Sequence, residues 1–255
     1  VAGHSKWANI KRQKARVDAK KGKTFAQLSR AIIVAARNGS SDPEGNFQLR
    51  TAIDKAKTAG IPNDNIDRAI AIGAGTYQDG NSILESIRYE GYGAGGVAIL
   101  IEALTDNRNR SAADIRAAFK KNDGNLGETG CVSWMFEQKG VVILDAVEEE
   151  KLLEAATEGG ADNYELIDEE DFQGAEVFTE VANLEILNQT LQDYNLSVSE
   201  VELRWIPHNT IEVTDLEQAK SILKLIDTLE SLDDVQNVTA NFEIAAELIE
   251  NLNDN

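Results

Sequence analysis

One cysteine, Cys131, stands in a chain of 255 residues. With no second thiol an internal disulfide is impossible, and a structural zinc site built on thiolates is excluded. A reducing cytoplasm is the expected setting. Long apolar runs are also missing. The best, "AIIVAA" and "GVAILI", fall far short of the roughly 18 consecutive apolar residues that a membrane span needs, so no membrane partner is expected. The N-terminus lacks an apolar h-region and does not read as a secretory signal. It is basic and poor in acids, as a mitochondrial presequence is, but its cations are mostly Lys, where presequences favour Arg and Ser.

Catalytic signatures are equally scarce. The two histidines, His4 and His208, have no nucleophile or metal-ligand partner at a known spacing, and no Gly-x-Ser-x-Gly elbow occurs. Acids cluster at Glu148–Glu150 and Asp168–Asp171. Adjacent acids on a helix point to different faces, and an acidic first turn suits the helix dipole, so both clusters read as solvated. Cys131 reads as a small buried hydrophobe at the start of a strand. No cofactor and no metal are expected, and the chain reads as non-enzymatic.

What is present is a soluble globular composition, 42% apolar and 27% charged, at a length that suits two or three compact units. The net charge of −19 is unevenly spread. Residues 1–75 carry 14 Lys+Arg against 6 Asp+Glu, whereas residues 140–255 carry 4 against 29. Such asymmetry points to a polyanionic partner at the basic end.

The basic end begins "GHSKWANIKRQKARVDAKKGKTF". Its cations are Lys6, Lys11, Arg12, Lys14, Arg16, Lys20, Lys21 and Lys23, and its only acid is Asp18. The apolar residues between Lys6 and Lys23 are Trp7, Ile10, Val17 and a few alanines, too thin a stripe for a buried helix. Several of the cations recur at helical spacing and would give broad positive faces. Trp7 could stack on a base or anchor the arm. The expected nucleic-acid contacts are His4, Lys6, Trp7, Lys11, Arg12, Lys14, Arg16, Lys20, Lys21 and Lys23. Docking of the arm on the chain's own acidic region is the rival reading.

Three helices follow, "TFAQLSRAIIVAARNG", "FQLRTAIDKAKTAG" and "IPNDNIDRAIAIGAG", each with apolar residues at helical spacing and a glycine stop. They predict a small bundle. Beyond Gly75 the strands "SILESIRYEGY" and "GVAILIEAL" flank "GYGAGG". A Rossmann phosphate loop would need a helix after those glycines, and a strand follows, so a hairpin turn is expected. "RSAADIRAAFKKNDG" predicts a helix opened by a Ser111/Asp114 capping box. Arg108 and Arg110, in the loop before it, and Arg116 read either as a phosphate-binding helix start or as ordinary surface charge. "CVSWMFEQKGVVILD" predicts a β-hairpin turning near Lys139-Gly140.

From "GVVILD" to "LSVSEVELRWI" the order is β-α-β-β-α-β, the ferredoxin-like split βαβ signature. The β-β-α of 82–130 and the β-α-β of 208–240 would together make a second α+β unit around it, with "VQNVTANFE" as one strand and a short helix in the tail "IAAELIENL". The expected fold is therefore multidomain, α and α+β. An N-terminal helical bundle (1–77) precedes two ferredoxin-like α+β domains, a discontinuous one (78–131 with 207–255) and an acidic one inserted in it (132–206).

"GHSKWANIK", "DAKKGKTF", "IPNDNIDRAI", "YEGYGAGGVAILIEALTDNRNR" and "NLGETGCVSWMF" together resemble the YebC/PmpR family of bacterial regulatory proteins, over essentially the full chain. Cys131 replaces the more usual Ser, and Ser40-Ser41 stand where glycines are common. The resemblance implies a helical domain followed by two α+β domains, one inserted in the other. It also implies a non-enzymatic cytoplasmic protein that binds nucleic acid, described for the family as a DNA-binding transcriptional regulator. The alternative it carries is a translation factor on ribosomal RNA that relieves stalls such as those at proline runs, with a ribosomal or other protein partner. Phosphate contacts from Lys and Arg serve both equally, because they carry no base sequence information.

Overall fold

The computed structural model describes residues 25–77, 84–169, 172–245 and 248. The apolar spacing of the N-terminal third produces three helices, α1 (Phe25–Asn38), α2 (Phe47–Thr58) and α3 (Asn63–Gly73). Their shared core holds Leu28, Ile32, Leu49, Ile53, Ala56 and Ile66. Ile32 and Leu49 are wholly buried, which contributes about 1.5–3 kcal/mol each. Asn46 sets the geometry between helices. Its carbonyl oxygen caps α2 by accepting from the Leu49 N–H at 3.0 Å, while its amide donates to the Ala35 carbonyl of α1 at 2.9 Å.

The chain then forms β1 (Glu85–Tyr92), β2 (Ala98–Thr105), α4 (Arg108–Lys121), β3 (Asn125–Leu126), β4 (Phe136–Asp145), α5 (Glu149–Glu158), β5 (Asn163–Glu169), β6 (Phe172–Glu180), α6 (Leu184–Asp193) and β7 (Ser197–Pro207). After these come β8 (Ile211–Val213), α7 (Leu216–Glu230), β9 (Val235–Ala240) and β10 (Phe242–Ile244). This is a mixed, multidomain α+β protein with seven helices among the described residues. It divides into two compact units, one built on Phe136–His208 and the other on the described parts of Trp7–Met135 and Asn209–Asn255. The helices α1–α3 and the sheet of β1 and β2 share the second unit.

In that second unit the sheet order is β3-β1-β2-β9. β1 and β2 are an antiparallel pair joined by a turn in which Gly95 and Gly96 take φ of 67° and 77°. "GYGAGG" is thus a turn that needs left-handed backbone, which glycine adopts without steric cost. Helices α4 and α7 cover this sheet with Ile115, Phe119, Ile222, Leu225 and Leu229.

Two expectations fail here. β8 does not enter the sheet; it pairs in parallel with β10. "VQNVTANFE" is also two strands rather than one, because the chain breaks at buried Asn241. The side-chain oxygen of Asn241 accepts from Ala98 N–H at 2.6 Å, its own N–H donates to the Ala98 carbonyl at 3.1 Å, and its carbonyl accepts from Ile211 N–H at 2.8 Å. One residue therefore links the edge of β2 to the small β8–β10 pair. The tail beyond Ala245 lies almost wholly outside the described residues.

In the Phe136–His208 unit the order is β5-β6-β4-β7, and every neighbouring pair is antiparallel. With α5 and α6 as crossovers this is the strand order of the split βαβ motif. No hairpin turns at Lys139-Gly140. β4 runs straight through both residues, pairing Lys139 with Glu180 and Gly140 with Leu203. The glycine serves a close approach instead. A Cβ at Gly140 would stand 2.8 Å from Leu184 Cβ, so its absence lets α6 lie tight on the sheet.

Candidate nucleic-acid interface

His4, Lys6, Trp7, Lys11, Arg12, Lys14, Arg16, Lys20, Lys21 and Lys23 all lie outside the described residues. The charge of the helices that follow them is informative by contrast. Residues 25–77 hold six Lys+Arg and five Asp+Glu, close to neutrality. Helices α2 and α3 are joined by a tight connection through Gly60, at φ 82°, as paired helices in DNA-binding motifs often are. The exposed side of α3, however, presents Asp64 and Asp67 with the single cation Arg68, whose guanidinium sits 4.9 Å from the Tyr77 ring centroid. Such a helix is poorly charged for a groove lined by phosphates. The positive charge of the N-terminal third is concentrated in residues 1–24, with eight cations and one acid.

The second predicted cation group takes a different form from the one expected. α4 starts four residues earlier than the Ser111 capping box implied. Its cap is Asn107, whose side chain accepts from Arg110 N–H at 3.1 Å. Ser111 sits inside the helix, buried, and donates to Asp234 at 2.6 Å. Arg108 and Arg110 therefore belong to the first helical turn, not to a loop. Arg110 is committed to carboxylates, 2.7 Å from Asp106 and 2.9 Å from Asp234. Arg108 lies 3.6 Å from Glu85. Only Arg116 of the three stands apart from these pairs, exposed and one turn from exposed Lys120 on the same face of α4.

Asp234 is the centre of this arrangement. It accepts from Thr105 Oγ1 at 3.0 Å, from Ser111 and from Arg110. Arg30 of α1 approaches its other oxygen at 2.9 Å while donating to the Asp233 carbonyl. Gln27, one turn before Arg30, donates to the Glu230 and Val235 carbonyls. Burial pushes the Asp234 carboxyl up, but the bonds from Ser111, Arg110 and Thr105, helped by the Arg30 charge, hold it below the usual carboxylate range. This clamp fixes the helix that follows the basic arm onto the β-sheet part of its unit.

A second buried carboxylate shapes a loop that sequence reading passed over. Glu90, 3% exposed on β1, accepts from the backbone N–H groups of Gly130, Val132 and Ser133 at 2.7–2.8 Å. Burial raises its carboxyl, and those three N–H groups bring it below the ordinary value. The loop so held carries Trp134, 69% exposed, whose Nε1 donates to the Cys131 carbonyl at 3.1 Å. Cys131 lies in this loop, half-buried, and not in a strand; burial and the Glu90 charge push its thiol up. The sequence signal for the loop was Glu90 at an inward position of a strand, which demands polar partners.

The Phe136–His208 unit has the opposite character. It holds three Lys+Arg and 19 Asp+Glu. Two of its three cations are already taken. Lys139 meets Glu180, with Asp162 at 3.1 Å and Glu137 at 3.2 Å. Arg204 lies 3.0 Å from fully buried Glu176 and 2.6 Å from Glu202. Burial opposes the Arg204 charge, but those two carboxylates more than restore it. His208 is exposed at the end of the unit. The field around this unit is negative and repels polyanions.

The class so defined is a multidomain α+β protein with a basic N-terminal sequence and a strongly acidic inserted unit. Comparison with known proteins gives the family. Residues 5–76 match the model described as "TACO1/YebC protein N-terminal domain", and residues 84–242 match "TACO1/YebC second and third domain". The chain belongs to the TACO1/YebC family. It is 77% identical over 250 residues to a protein of Gloeothece citriformis named a probable transcriptional regulatory protein, covering 98% of both chains. A protein of the same name from Nostoc sp. is 73% identical, again over 98% of both. Among solved structures, a conserved hypothetical protein from Aquifex aeolicus superposes with a TM-score of 0.80 at 43% identity, over 92% of this chain and 95% of that one. No helix among the described residues is long and apolar enough to cross a membrane.

Proposed function

We propose that this protein is a non-enzymatic, cytoplasmic nucleic-acid-binding regulator, acting as a DNA-binding transcriptional regulator through its N-terminal arm. Under this reading the arm-bearing helical domain (1–77) makes the contact. The discontinuous α+β domain (78–131 with 207–255) supports it, and the acidic inserted domain (132–206) takes no part in it, because its charge repels polyanions. One observation carries the reading. Eight cations and one acid occupy residues 1–24, the next 53 residues are nearly neutral, and the Phe136–His208 unit is strongly acidic. The regulatory role matches the names of the relatives. His4, Lys6, Trp7, Lys11, Arg12, Lys14, Arg16, Lys20, Lys21 and Lys23 are the proposed contacts. Arg116 is the remaining candidate on α4, since Arg110 and Arg108 face acids.

The test is fluorescence anisotropy with a duplex DNA and a ribosomal RNA fragment, on the full chain and on a chain lacking residues 1–23. Loss of binding on deletion, with a cooperative thermal unfolding transition retained, is the expected result. If about six cations meet phosphate, log K falls against log salt with a slope near −5 on duplex DNA. Binding that survives the deletion overturns the arm as the contact. Binding to RNA with none to DNA replaces the transcriptional reading by the translational one.

A further inference from the structure

We propose that the flank of the acidic unit formed by α5 and the edge strand β5 docks an extended, Lys/Arg-rich protein segment with interspersed apolar side chains. This inference stands apart from the nucleic-acid reading, because it concerns a surface of opposite charge.

Among the described residues of the Phe136–His208 unit, three large apolar side chains remain exposed: Leu153 at 52%, Leu166 at 44% and Ile186 at 60%. Two of them share one flank. The Tyr164 hydroxyl lies 3.5 Å from Glu149 Oε1, which joins the start of α5 to β5. Leu153 is one helical turn beyond Glu149, on the same side of α5. Leu166 is two residues beyond Tyr164, on the same face of β5. Leu152, Ala155 and Ala156 turn inward and leave Leu153 outside the core.

β5 is an end strand of its sheet, with β6 on one side only. Its outer edge offers main-chain donors and acceptors to an added strand, whose alternate side chains would fall beside Leu166 and Tyr164. Charge selects the occupant. Glu149, Glu150 and Glu154 are exposed on α5, within a unit of 19 acids and three cations. A nucleic acid is repelled there and a cationic peptide is attracted. The leucines add what charge alone cannot, a preference for apolar residues between the cations.

The test uses the full chain and two synthetic decapeptides, alternating Lys–Leu and alternating Lys–Ser, titrated by isothermal calorimetry. The Lys–Leu peptide is expected to bind about tenfold more tightly, the effect of covering two half-exposed leucines. A Leu153→Ser/Leu166→Ser variant removes that difference and leaves Lys–Ser binding unchanged. Because both leucines are exposed, its circular dichroism and duplex DNA binding stay as in the parent. A Glu150→Lys/Glu154→Lys variant weakens both peptides. Equal binding of the two peptides by the parent, or a leucine variant that binds Lys–Leu as the parent does, overturns the proposal.

Discussion

Asp234 draws donors from α1 and from the β2–α4 junction, two stretches that the sequence keeps far apart from each other and from Asp234. Replacing it by Ala leaves Arg30 and Ser111, both largely buried, without their carboxylate. A loss of about 3 kcal/mol is expected, as for a buried pair stripped of one partner, read from the urea midpoint. Its acid response follows from the lowered carboxyl. The folded group titrates below its ordinary value of 3.8, so its contribution is complete above that pH and disappears as pH falls through the folded value. Glu90, lowered from 4.5, acts in the same direction. Thermal melts taken from neutrality into acid should fall steeply below about pH 4, and the Asp234→Ala chain should fall less. Glu90→Gln sets an amide against three N–H donors. It should cost about 1–3 kcal/mol and speed hydrogen exchange at Gly130, Val132 and Ser133.

Elements whose apolar residues repeat at a fixed spacing were legible in the sequence. Leu28, Ile32 and Ala36, like Leu49, Ile53 and Ala56, are buried because the spacing puts them on one face. What was not legible depended on a distant neighbour. Gly140 resembles a turn until Leu184 is seen against it. Ser111 resembles a helix cap until Asp234, 123 residues away, is seen to accept its hydrogen bond. The same contact explains why Arg110 reads as a free cation in the sequence and is an acid's partner in the fold. The basic arm is the reverse case, a candidate site proposed from the sequence that lies outside the described residues. Gly140→Ala tests the close approach of α6: forcing Leu184 aside should destabilise the unit by about 1–3 kcal/mol in urea unfolding.

At the scale of the whole molecule, charge is sorted by position along the chain, from the cations of residues 1–24 to the acids of Phe136–His208. The path of the chain has a separate consequence. Phe136 and Pro207, where the inserted stretch begins and ends, face one another across β4 and β7. Paired residues stand about 5 Å apart. Ile99 of β2 must find Ala240 of β9 across this stretch. Once Phe136–His208 has folded, the effective loop between those residues is roughly halved. Halving a loop lowers its closure entropy by only about 0.6 kcal/mol, so the outer sheet should form about threefold faster with the inner unit already folded. The order of events during folding is thus favoured from within the chain, yet not enforced.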